Sequence, residues 1–390
     1  MEKVKLAIVG GGPAGLQAAI SAVKLGLQPV VFEEHSQVGI PVQCGEGISS
    51  NAFRDFSIPE KNNDFCVREH KICQLVFPTN KIIYGNIRAF MIKRDKFDQY
   101  LANKAIELGT TVVTNAKVSE IKIKQEGLII KIRGKEEKTF VSDFIILAEG
   151  ARAKLAQSLN FPPPQPLIKA FEYRIEGEWG KDLEFYFNAL KYPYGYCWIF
   201  PRDNETNVGI VTTANQMKER LDSFLKEKKI TGKVLKKIGG VIPMKGPVQR
   251  LVSNNIILAG DAAGMTNPVF YGGIRIGMTS GNLAGKVGVE YLRNLEEKVK
   301  YSTEKYYQYL QSFHFMKKMN LKCHHFFYSR SNEFLIKLGK VFDKKYINHI
   351  KKWEKIKMVR NFLKTPSILR YPKGLLQIYL GFKIARDWGF

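Results

Sequence analysis

The sequence of 390 residues has no run of about 18 or more apolar residues, which excludes a conventional membrane-spanning helix. Its five cysteines are few and odd in number, and none belongs to the CxxC pair of a structural zinc site or a thioredoxin-like redox centre. We therefore expect a reducing, cytoplasmic compartment and no metal site. Acidic residues are also scarce, 36 against 61 lysines and arginines, which leaves a formal net charge of +25.

The excess positive charge is concentrated towards the end of the chain. Residues 301–390 hold 19 lysines and arginines against five acidic residues, more than half of the excess in less than a quarter of the length. These basic residues are interleaved with aromatic ones, which suits a membrane interface better than a nucleic acid. We predict a protein peripheral to the cytoplasmic membrane face with no nucleic-acid partner. A lysine-rich, solvated helical surface explains the same charge equally well.

Apolar periodicity predicts an α/β fold. A buried strand over residues 4–9 is followed by a glycine turn, a helix over 16–25 and a second strand over 28–32, the order that opens a Rossmann-type, doubly wound sheet. The glycines and Pro13 predict that residues 3–20 are folded structure and not a signal peptide. Further elements are predicted at 95–108 (helix), 111–115 (strand), 118–132 (two strands) and 144–148 (strand).

Four prolines between Phe161 and Leu167 mark the best domain boundary. Residues 171–175 and 183–187 then alternate apolar and polar side chains, which predicts the antiparallel strands of a second domain. Residues 255–261 return to a buried-strand pattern, so the first domain is predicted to be discontinuous. We assign 1–160 and 250–295 to the Rossmann-type domain, 161–249 to an antiparallel-sheet substrate domain, and 296–390 to a basic helical C-terminal region.

A dinucleotide site is predicted between the first strand and the first helix. Gly10-x-Gly12-x-x-Gly15 allows the tight turn and lets backbone N–H groups approach a pyrophosphate at the helix N-terminus. Glu33 lies 18 residues after Gly15 at the end of the second strand, where its carboxylate can accept hydrogen bonds from the hydroxyls of an adenosine ribose.

Three segments resemble those of FAD-binding oxidoreductases related to the aromatic hydroxylases. Ile256-Ile-Leu-Ala-Gly-Asp-Ala-Ala resembles the second FAD motif of that superfamily, in which the aspartate, here Asp261, holds FAD. Arg94-Asp-Lys-Phe-Asp resembles its Arg-x-x-Phe-Asp segment, and Ser142-Asp-Phe-Ile-Ile-Leu-Ala-Glu-Gly occupies the place of its Ala-Asp-Gly stretch. Glu149 replaces the usual aspartate there and keeps its charge.

Four further segments resemble the geranylgeranyl reductase family, in particular its archaeal branch that acts on digeranylgeranylglycerophospholipids. They are Pro41-Val-Gln-Cys-Gly-Glu-Gly-Ile-Ser, Gly195-Tyr-Cys-Trp-Ile-Phe-Pro-Arg, Gly239-Gly-Val-Ile-Pro and Pro268-Val-Phe-Tyr-Gly-Gly-Ile. They occur in the family's order within the first three quarters of the chain. Arg202 stands where lysine is usual in the family, and Tyr271 stands where another glycine is common.

The resemblance implies FAD as cofactor and a set of residues that hold it. With the glycine turn, the predicted cofactor-binding residues are Gly10, Gly12, Ala14, Gly15, Glu33, Cys44, Gly45, Gly47, Arg94, Val118, Asp261, Gly272, Gly273 and Ile274. Glycines recur every four residues from Gly273 to Gly285, which predicts a helix with a bare face and an N-terminus near the flavin ring. Close helix packing is an equally good reason for these glycines, and compatible with the first.

Substrate contacts are predicted on a single strand. Tyr196, Trp198 and Phe200 alternate, so they share one face and could line a tunnel for an isoprenoid chain or form ordinary sheet core. Cys44 is the candidate catalytic residue, as a thiol near the flavin that gates access or assists proton delivery, although buried cysteines most often only pack. Cys323, His324 and His325 are consecutive and point in different directions, so we do not assign them a metal.

The resemblance implies an FAD-dependent reductase that saturates C=C bonds of geranylgeranyl chains on an archaeal-type glycerophospholipid, with hydride from reduced flavin. Ferredoxin or NAD(P)H is the expected electron donor, and no second dinucleotide motif supports tight NAD(P)H binding. Reduction of a free prenyl diphosphate, a chlorophyll-type side chain or a menaquinone tail remains open. An aromatic hydroxylase and a non-redox isoprenoid cyclase also remain alternatives.

Overall fold

A computed structural model describes residues 1–133, 137–346 and 365–388. Its strands are β1 (Glu2–Val9), β2 (Val30–Phe32), β3 (Gly47–Ser49), β4 (Cys66–Phe77), β5 (Lys81–Ile92), β6 (Thr111–Val113), β7 (Lys117–Lys124), β8 (Gly127–Arg133), β9 (Lys138–Leu147), β10 (Leu167–Glu176), β11 (Leu183–Tyr186), β12 (Tyr196–Pro201), β13 (Glu205–Thr212), β14 (Val234–Pro243), β15 (Val252–Ser253), β16 (Ile256–Leu258) and β17 (Lys345–Tyr346). Its helices are α1 (Pro13–Lys24), α2 (Ser50–Asp55), α3 (Arg94–Glu107), α4 (Lys154–Ser158), α5 (Met217–Glu227), α6 (Ile274–Glu296), α7 (Lys305–Gln311), α8 (Met319–Tyr328), α9 (Asn332–Phe342), α10 (Pro366–Leu369) and α11 (Pro372–Trp388). Short 3-10 turns occupy Pro78–Asn80, Gly260–Ala263 and His314–Met316.

The first sheet has the predicted Rossmann-type start. Its strand order is β15-β16-β9-β1-β2-β6, with the β7–β8 hairpin attached through β8 to β9. β1 pairs in parallel with both β2 and β9, and β16 pairs in parallel with β9. The last pairing brings a strand from beyond residue 250 into the N-terminal sheet. The α/β class is confirmed, and so is the return of the chain to this sheet.

The second sheet has the order β14-β10-β13-β12-β11-β4-β5-β17, with β3 paired to β5. The antiparallel pairing of β10, β12, β13 and β14 agrees with the sequence prediction. The long β4–β5 hairpin was not predicted, and it lies within residues 1–160 although it joins the second sheet through β4 and β11. Residues 47–92 thus supply β3, β4 and β5 to the second sheet. This pairing leaves no local pattern in the sequence, because the partner strand β11 lies far along the chain.

Helix α6 packs directly on α1 through its glycines. A Cβ built on Gly281 would lie 1.9 Å from the carbonyl oxygen of Ala14, and one on Gly285 would lie 2.3 Å from that of Ala18. Any side chain at these two positions would push the helices apart. Close helix packing is thus confirmed as a reason for the glycine repeat. This packing fixes the positions of the N-termini of α1 and α6 relative to each other.

Both faces of the second sheet are covered. One face packs on α5, with Ile210, Leu221 and Phe224 buried in one apolar cluster. The other face carries Trp198 and Phe200 in a cluster that also includes residues of α8, α9 and α11. Polar side chains on that second face are therefore enclosed by protein and do not point into solvent.

The C-terminal region is largely helical, as predicted, over its described residues. Its departure is β17, which pairs in parallel with β5. Helix α11 lies close to α8, where a Cβ on Gly381 would be 2.3 Å from that of Cys323. Arg275 on α6 contacts the end of α11, where its guanidinium lies 3.9 Å from the centre of the Trp388 ring. The Nε of Arg275 also donates a hydrogen bond to Asp55 at 2.8 Å. None of the helices in the described ranges is long and apolar enough to cross a bilayer.

Candidate active site

A cavity of about 290 Å³ lies where the N-termini of α1 and α6 face strands β10 and β12 of the second sheet. Most of the predicted site residues line it, namely Gly12, Ala14, Cys44, Gly45, Gly47, Arg94, Asp261, Gly272, Gly273 and Ile274 from the cofactor set and Tyr196, Trp198 and Phe200 from the substrate set. Four predicted cofactor residues, Gly10, Gly15, Glu33 and Val118, do not line it.

One side of the cavity is made mainly of backbone, and we call it the glycine wall: residues 12–14, 260–261 and 272–274. Helices α1 and α6 begin after Gly12 and Gly273, and neither has a capping side chain or an acidic residue in its first turn. Their first N–H groups are thus left for a ligand, and the helix dipoles favour negative charge there. A Cβ on Gly12 would meet no atom within 4 Å, so there is open space where a pyrophosphate would approach.

Gly10 and Gly15 do not line the cavity, but they allow the tight turn that positions the glycine wall. Gly10 has a φ of 103°, and a Cβ on it would lie 2.4 Å from the carbonyl oxygen of Ala148. A Cβ on Gly15 would lie 2.0 Å from the carbonyl oxygen of Gly10. Both positions therefore require glycine for the turn itself, without contact to the cavity.

Glu33 lies at the far side of the glycine turn. Its buried carboxylate accepts hydrogen bonds from the N–H of Gly11 at 2.7 Å and from the N–H of His35 at 2.9 Å. The carboxylate thus holds the turn, and contact with a ribose stays a prediction. Val118 is buried on β7, and its contact with the cofactor also stays a prediction.

Arg94 and Asp261 supply charge to the cavity lining. The guanidinium of Arg94 forms two hydrogen bonds to the carboxylate of Asp98, at 3.0 and 2.8 Å. Burial raises the pKa of Asp261 to about 6. A carboxyl with that pKa can accept or donate a hydrogen bond to a polar ligand near neutral pH.

The opposite side of the cavity is made of rings, and we call Phe185, Tyr196, Trp198, Phe200 and Phe270 the aromatic wall. Ring centroids lie 5.3 Å apart for Phe185 and Tyr196 and 6.0 Å apart for Trp198 and Phe200. The Tyr196 hydroxyl donates to the carbonyl oxygen of Phe270 at 2.5 Å, so its polar end is satisfied. The wall presents apolar surface to a ligand, as an isoprenoid chain requires.

Trp198 depends on a glycine of the neighbouring strand. Gly209 stands opposite Trp198 in the β12–β13 pairing, and a Cβ there would lie 2.1 Å from the indole ring. The indole therefore lies flat over Gly209 and extends towards Glu172, which stands opposite Gly209 on β10. The sequence analysis did not identify Gly209, because its contact with Trp198 depends on the pairing of β13 with β12 and β10.

The charged cluster around Glu46 was missed by the sequence analysis. Glu46, with a φ of 63° and 1% exposure, accepts hydrogen bonds from Arg174, from Arg202 at 2.7 Å and from Asn207 at 3.3 Å. Its other oxygen accepts from the N–H of Arg94 at 2.9 Å. The cluster joins the loop before β3 to β10, to β13, to the turn that follows β12 and to α3. Arg202, noted only as a departure from lysine, is one of its anchors.

Cys44 lines the cavity beside this cluster. Its sulfur accepts a hydrogen bond from the N–H of Glu46 at 3.2 Å, and burial raises the pKa of the thiol above its ordinary value. The group is therefore a neutral thiol near pH 7 and not a ready nucleophile. Its catalytic role stays a prediction.

Glu149 and His324 have structural partners. The carboxylate of Glu149 accepts from the N–H groups of Leu155 and Ala156 at the start of α4, at 2.9 and 2.7 Å. His324 is buried with Nδ1 2.8 Å from the carbonyl oxygen of Pro268, and burial lowers its pKa to about 4. Among the described residues, no group of three or more His, Cys, Asp or Glu side chains is placed to hold a metal ion.

Comparison with known proteins shows which proteins this chain is similar to. A family model described as the geranylgeranyl reductase catalytic domain matches residues 170–242, which span β10 to β14. A digeranylgeranylglycerophospholipid reductase of Methanocaldococcus jannaschii is 28% identical, with 95% of this chain and 97% of the relative covered. The enzyme of the same name from Methanococcus vannielii is 29% identical over 80% of this chain and 85% of its own. Over residues 170–242 this chain thus matches the catalytic domain of geranylgeranyl reductases, and over most of its length it is similar to these archaeal enzymes.

The resemblance predicted from the sequence motifs is thereby confirmed. Solved structures share the fold: a geranylgeranyl bacteriochlorophyll reductase-like protein of Thermoplasma acidophilum superposes with a TM-score of 0.84 at 24% identity, covering 96% of this chain and all of its own. A flavoprotein/dehydrogenase of Cytophaga hutchinsonii superposes with a TM-score of 0.70 at 18% identity over 99% of this chain and all of its own. The fold is therefore that of a flavoprotein.

Proposed function

We propose that this chain is an FAD-dependent oxidoreductase that saturates the C=C bonds of geranylgeranyl chains on archaeal-type membrane glycerophospholipids. The observation that carries the proposal is a single cavity with a glycine wall on one side and an aromatic wall on the other. The first suits the phosphates and ring of a flavin, and the second suits an apolar chain. The archaeal relatives with this substrate in their names support the lipid.

The residues present fit FAD. The N–H groups of Gly12 and Ala14 would bind the pyrophosphate in the open space beside Gly12, and Asp261 and Arg94 line the same cavity. The α6 N-terminus at Gly273 would stabilise negative charge on a reduced isoalloxazine ring. Bound FAD supplies the hydride for alkene reduction. The aromatic wall holds the prenyl chain against that ring and excludes water.

A second cavity of about 260 Å³ extends this site towards α11. It shares Phe185 and Phe270 with the first cavity and also has Tyr379, Lys383 and Arg386 in its lining. We place the prenyl chain across Phe185 and Phe270, with the anionic headgroup near the two basic residues. Two cavities that share two lining residues would accommodate a long lipid chain and its charged end.

The outer face of the C-terminal helices would contact the membrane. Leu369, Tyr371, Leu376 and Tyr379 are each between 40% and 56% exposed on or next to α10 and α11, close in sequence to Lys373 and Lys383. Exposed apolar and aromatic side chains mixed with lysines are typical of a surface that lies on anionic lipid. An acidic ferredoxin or NAD(P)H would supply the electrons, and the basic surface suits the former.

The reductase activity is tested with purified protein loaded with FAD and reduced anaerobically by dithionite. Addition of digeranylgeranylglycerophospholipid should reoxidise the flavin, and the lipid should gain two mass units for each double bond reduced. A lipid that is unchanged anaerobically and gains one oxygen atom only after O2 is admitted to the reduced protein would instead establish a hydroxylase. Turnover without a mass change would establish a cyclase. Reoxidation only by a prenyl diphosphate or a menaquinone would keep the family and overturn the proposed substrate.

Membrane contact is tested by flotation with vesicles containing anionic lipid. Leu376→Glu should reduce the bound fraction, because it places a negative charge at the centre of the apolar face. Ile123→Glu, which changes a side chain that is 60% exposed on β7 in the first sheet, is the matched control and should float as the unmodified protein does. Equal flotation of all three proteins would contradict membrane contact through α11.

A further inference from the structure

Glu172 is a buried acid beside the indole N–H of Trp198, which lies close enough to lower the pKa of the acid without forming a hydrogen bond of normal geometry. The residue lies on β10, lines the cavity and is only 2% exposed. Neither of its carboxyl oxygens has a hydrogen-bond partner among the residues that the structure describes. A buried polar group without a partner costs free energy, so its presence in a ligand cavity indicates a role towards the ligand.

The carboxyl group lies between the Cys44–Gly47 loop and the aromatic wall. A Cβ built on Gly45 would lie 3.7 Å from Oε2 of Glu172 and 3.8 Å from Nε1 of Trp198. The same point lies 3.8 Å from the ring of Phe200. The acid therefore faces the Cys44–Gly47 loop, predicted to contact the flavin, and stands beside the aromatic wall. A reacting double bond must lie between these two parts of the cavity.

The surrounding charges do not require Glu172 to be ionised. Arg202 pairs with Glu46, and Arg174 pairs with Glu46 and with Glu205 at 3.3 Å. Two guanidinium groups are thus matched by two carboxylates, and Glu172 is the surplus acid. The neutral thiol of Cys44 is a further titratable group near Glu172, and Arg94 and Asp261 line the same cavity. Burial, and then repulsion from Glu46, raise the pKa of Glu172 well above its ordinary value, although Arg174 and Arg202 oppose the shift.

We propose that Glu172 is the proton donor of the alkene reduction, an inference that rests on the proposed function. The O–H of Glu172 gives its proton to one alkene carbon, and the other carbon takes the hydride that reduced flavin supplies. The π bond breaks and two C–H bonds form. The alkene gains two electrons, the flavin loses two, and Glu172 is left as a carboxylate. Water returns a proton to that carboxylate before the next turnover.

The test compares Glu172→Gln with the matched control Glu184→Gln in a single turnover of dithionite-reduced enzyme with the lipid. Glu184 is also a buried acid, 8% exposed on β11, but it lies outside the cavity and bonds to Tyr186. Glu172→Gln should bind and reduce FAD normally and reoxidise about 100-fold or more slowly, the usual contribution of a positioned acid. Glu172→Asp should recover part of the rate, and Glu184→Gln should reoxidise at close to the wild-type rate.

A second readout does not depend on turnover. The infrared spectrum at neutral pH should contain the C=O band of a protonated carboxyl group that Glu172→Gln removes and Glu184→Gln leaves in place. Absence of that band would overturn the proposal. So would a normal reoxidation rate in Glu172→Gln together with an arrested Cys44→Ser, because the thiol would then be the donor.

Failure of the proposed function gives a different pattern. If the lipid does not reoxidise the wild-type protein, the proposed substrate is wrong, and the same variants are measured with whichever prenyl diphosphate or menaquinone does. The role of Glu172 stands if Glu172→Gln is slow with that alkene and lacks the protonated band. It is overturned if the variant reduces that alkene at the wild-type rate.

Discussion

The two walls of the cavity are built from different chemical groups, one mainly from the backbone and the other from side chains. The glycine wall uses backbone N–H groups at two helix ends, held together by the contact of Gly281 with Ala14. The aromatic wall and its charged neighbours use side chains from strands that are distant in sequence. Under the proposed function, the first wall would hold the flavin cofactor, whereas the second would decide which alkene reacts. Substitutions on the two walls should therefore fail in different ways.

The largest effect is expected from a substitution in the charged cluster around Glu46. Glu46→Gln removes the carboxylate that pairs with both Arg174 and Arg202, so we expect a loss of about 3–5 kcal/mol in the free energy of unfolding. Denaturant titration measures this loss. Glu120→Gln, which breaks exposed ion pairs on β7, is the control and should change the stability by less than about 1 kcal/mol. Similar losses in both variants would contradict a joining role for Glu46.

A substitution on the aromatic wall should affect the substrate and spare the cofactor. Trp198→Ala removes a ring that lies over Gly209 and lines the cavity, so lipid binding should weaken by about 1.5–3 kcal/mol. FAD affinity, followed by flavin fluorescence, should stay near that of the unmodified protein. A variant that loses FAD and lipid binding together would show that the walls are not separable.

The glycine wall offers a pair of substitutions that separate packing from ligand contact. Gly281→Ala forces α6 away from α1 and should cost about 1–3 kcal/mol of stability, measured by denaturant titration. Gly12→Ala meets no protein atom within 4 Å, so the fold should keep its stability while FAD binding weakens. Equal FAD affinity in Gly12→Ala and the unmodified protein would mean that the open space beside Gly12 is not the pyrophosphate site.

The smallest effect is a dependence of stability on pH. The pKa of Glu172 is raised in the folded state above its ordinary value of 4.5, so below pH 4.5 both folded and unfolded forms are protonated. As the pH rises further, the unfolded form ionises first, and the folded protein loses up to about 1.4 kcal/mol per pH unit until the folded pKa is reached. The Glu172→Gln variant has no carboxyl group to ionise at this position, so it does not lose stability in this way. Denaturant titrations at several pH values should show the variant gaining on the unmodified protein, and parallel curves would contradict a raised pKa.

The same contrast explains what sequence reasoning could predict. The glycine turn, the helix after it and the position of Asp261 follow from local patterns, because each depends on residues near one another in the chain. Tyr196, Trp198 and Phe200 could be placed on one face by their alternation. Both predictions hold in the structure, where Asp261 and the three rings line one cavity.

The charged residues beside the aromatic wall could not be predicted from local patterns in the sequence. Glu172 and Arg174 alternate with apolar residues on β10, a pattern that ordinarily indicates a solvated face. That face is covered, and its partners Glu46 and Arg202 come from a distant loop and strand, so only the tertiary structure brings the charges together. The β4–β5 hairpin was missed for the same reason. Its place in the second sheet is set by pairing with β11, far along the chain.

The central claim is that one cavity brings a flavin and a prenyl alkene together for reduction. A single anaerobic turnover of dithionite-reduced, FAD-loaded protein with digeranylgeranylglycerophospholipid, followed by mass analysis of the extracted lipid, tests it most directly. The account predicts flavin reoxidation with a gain of two mass units per reduced double bond. Flavin that stays reduced in the presence of the lipid, with no change in lipid mass, would contradict it.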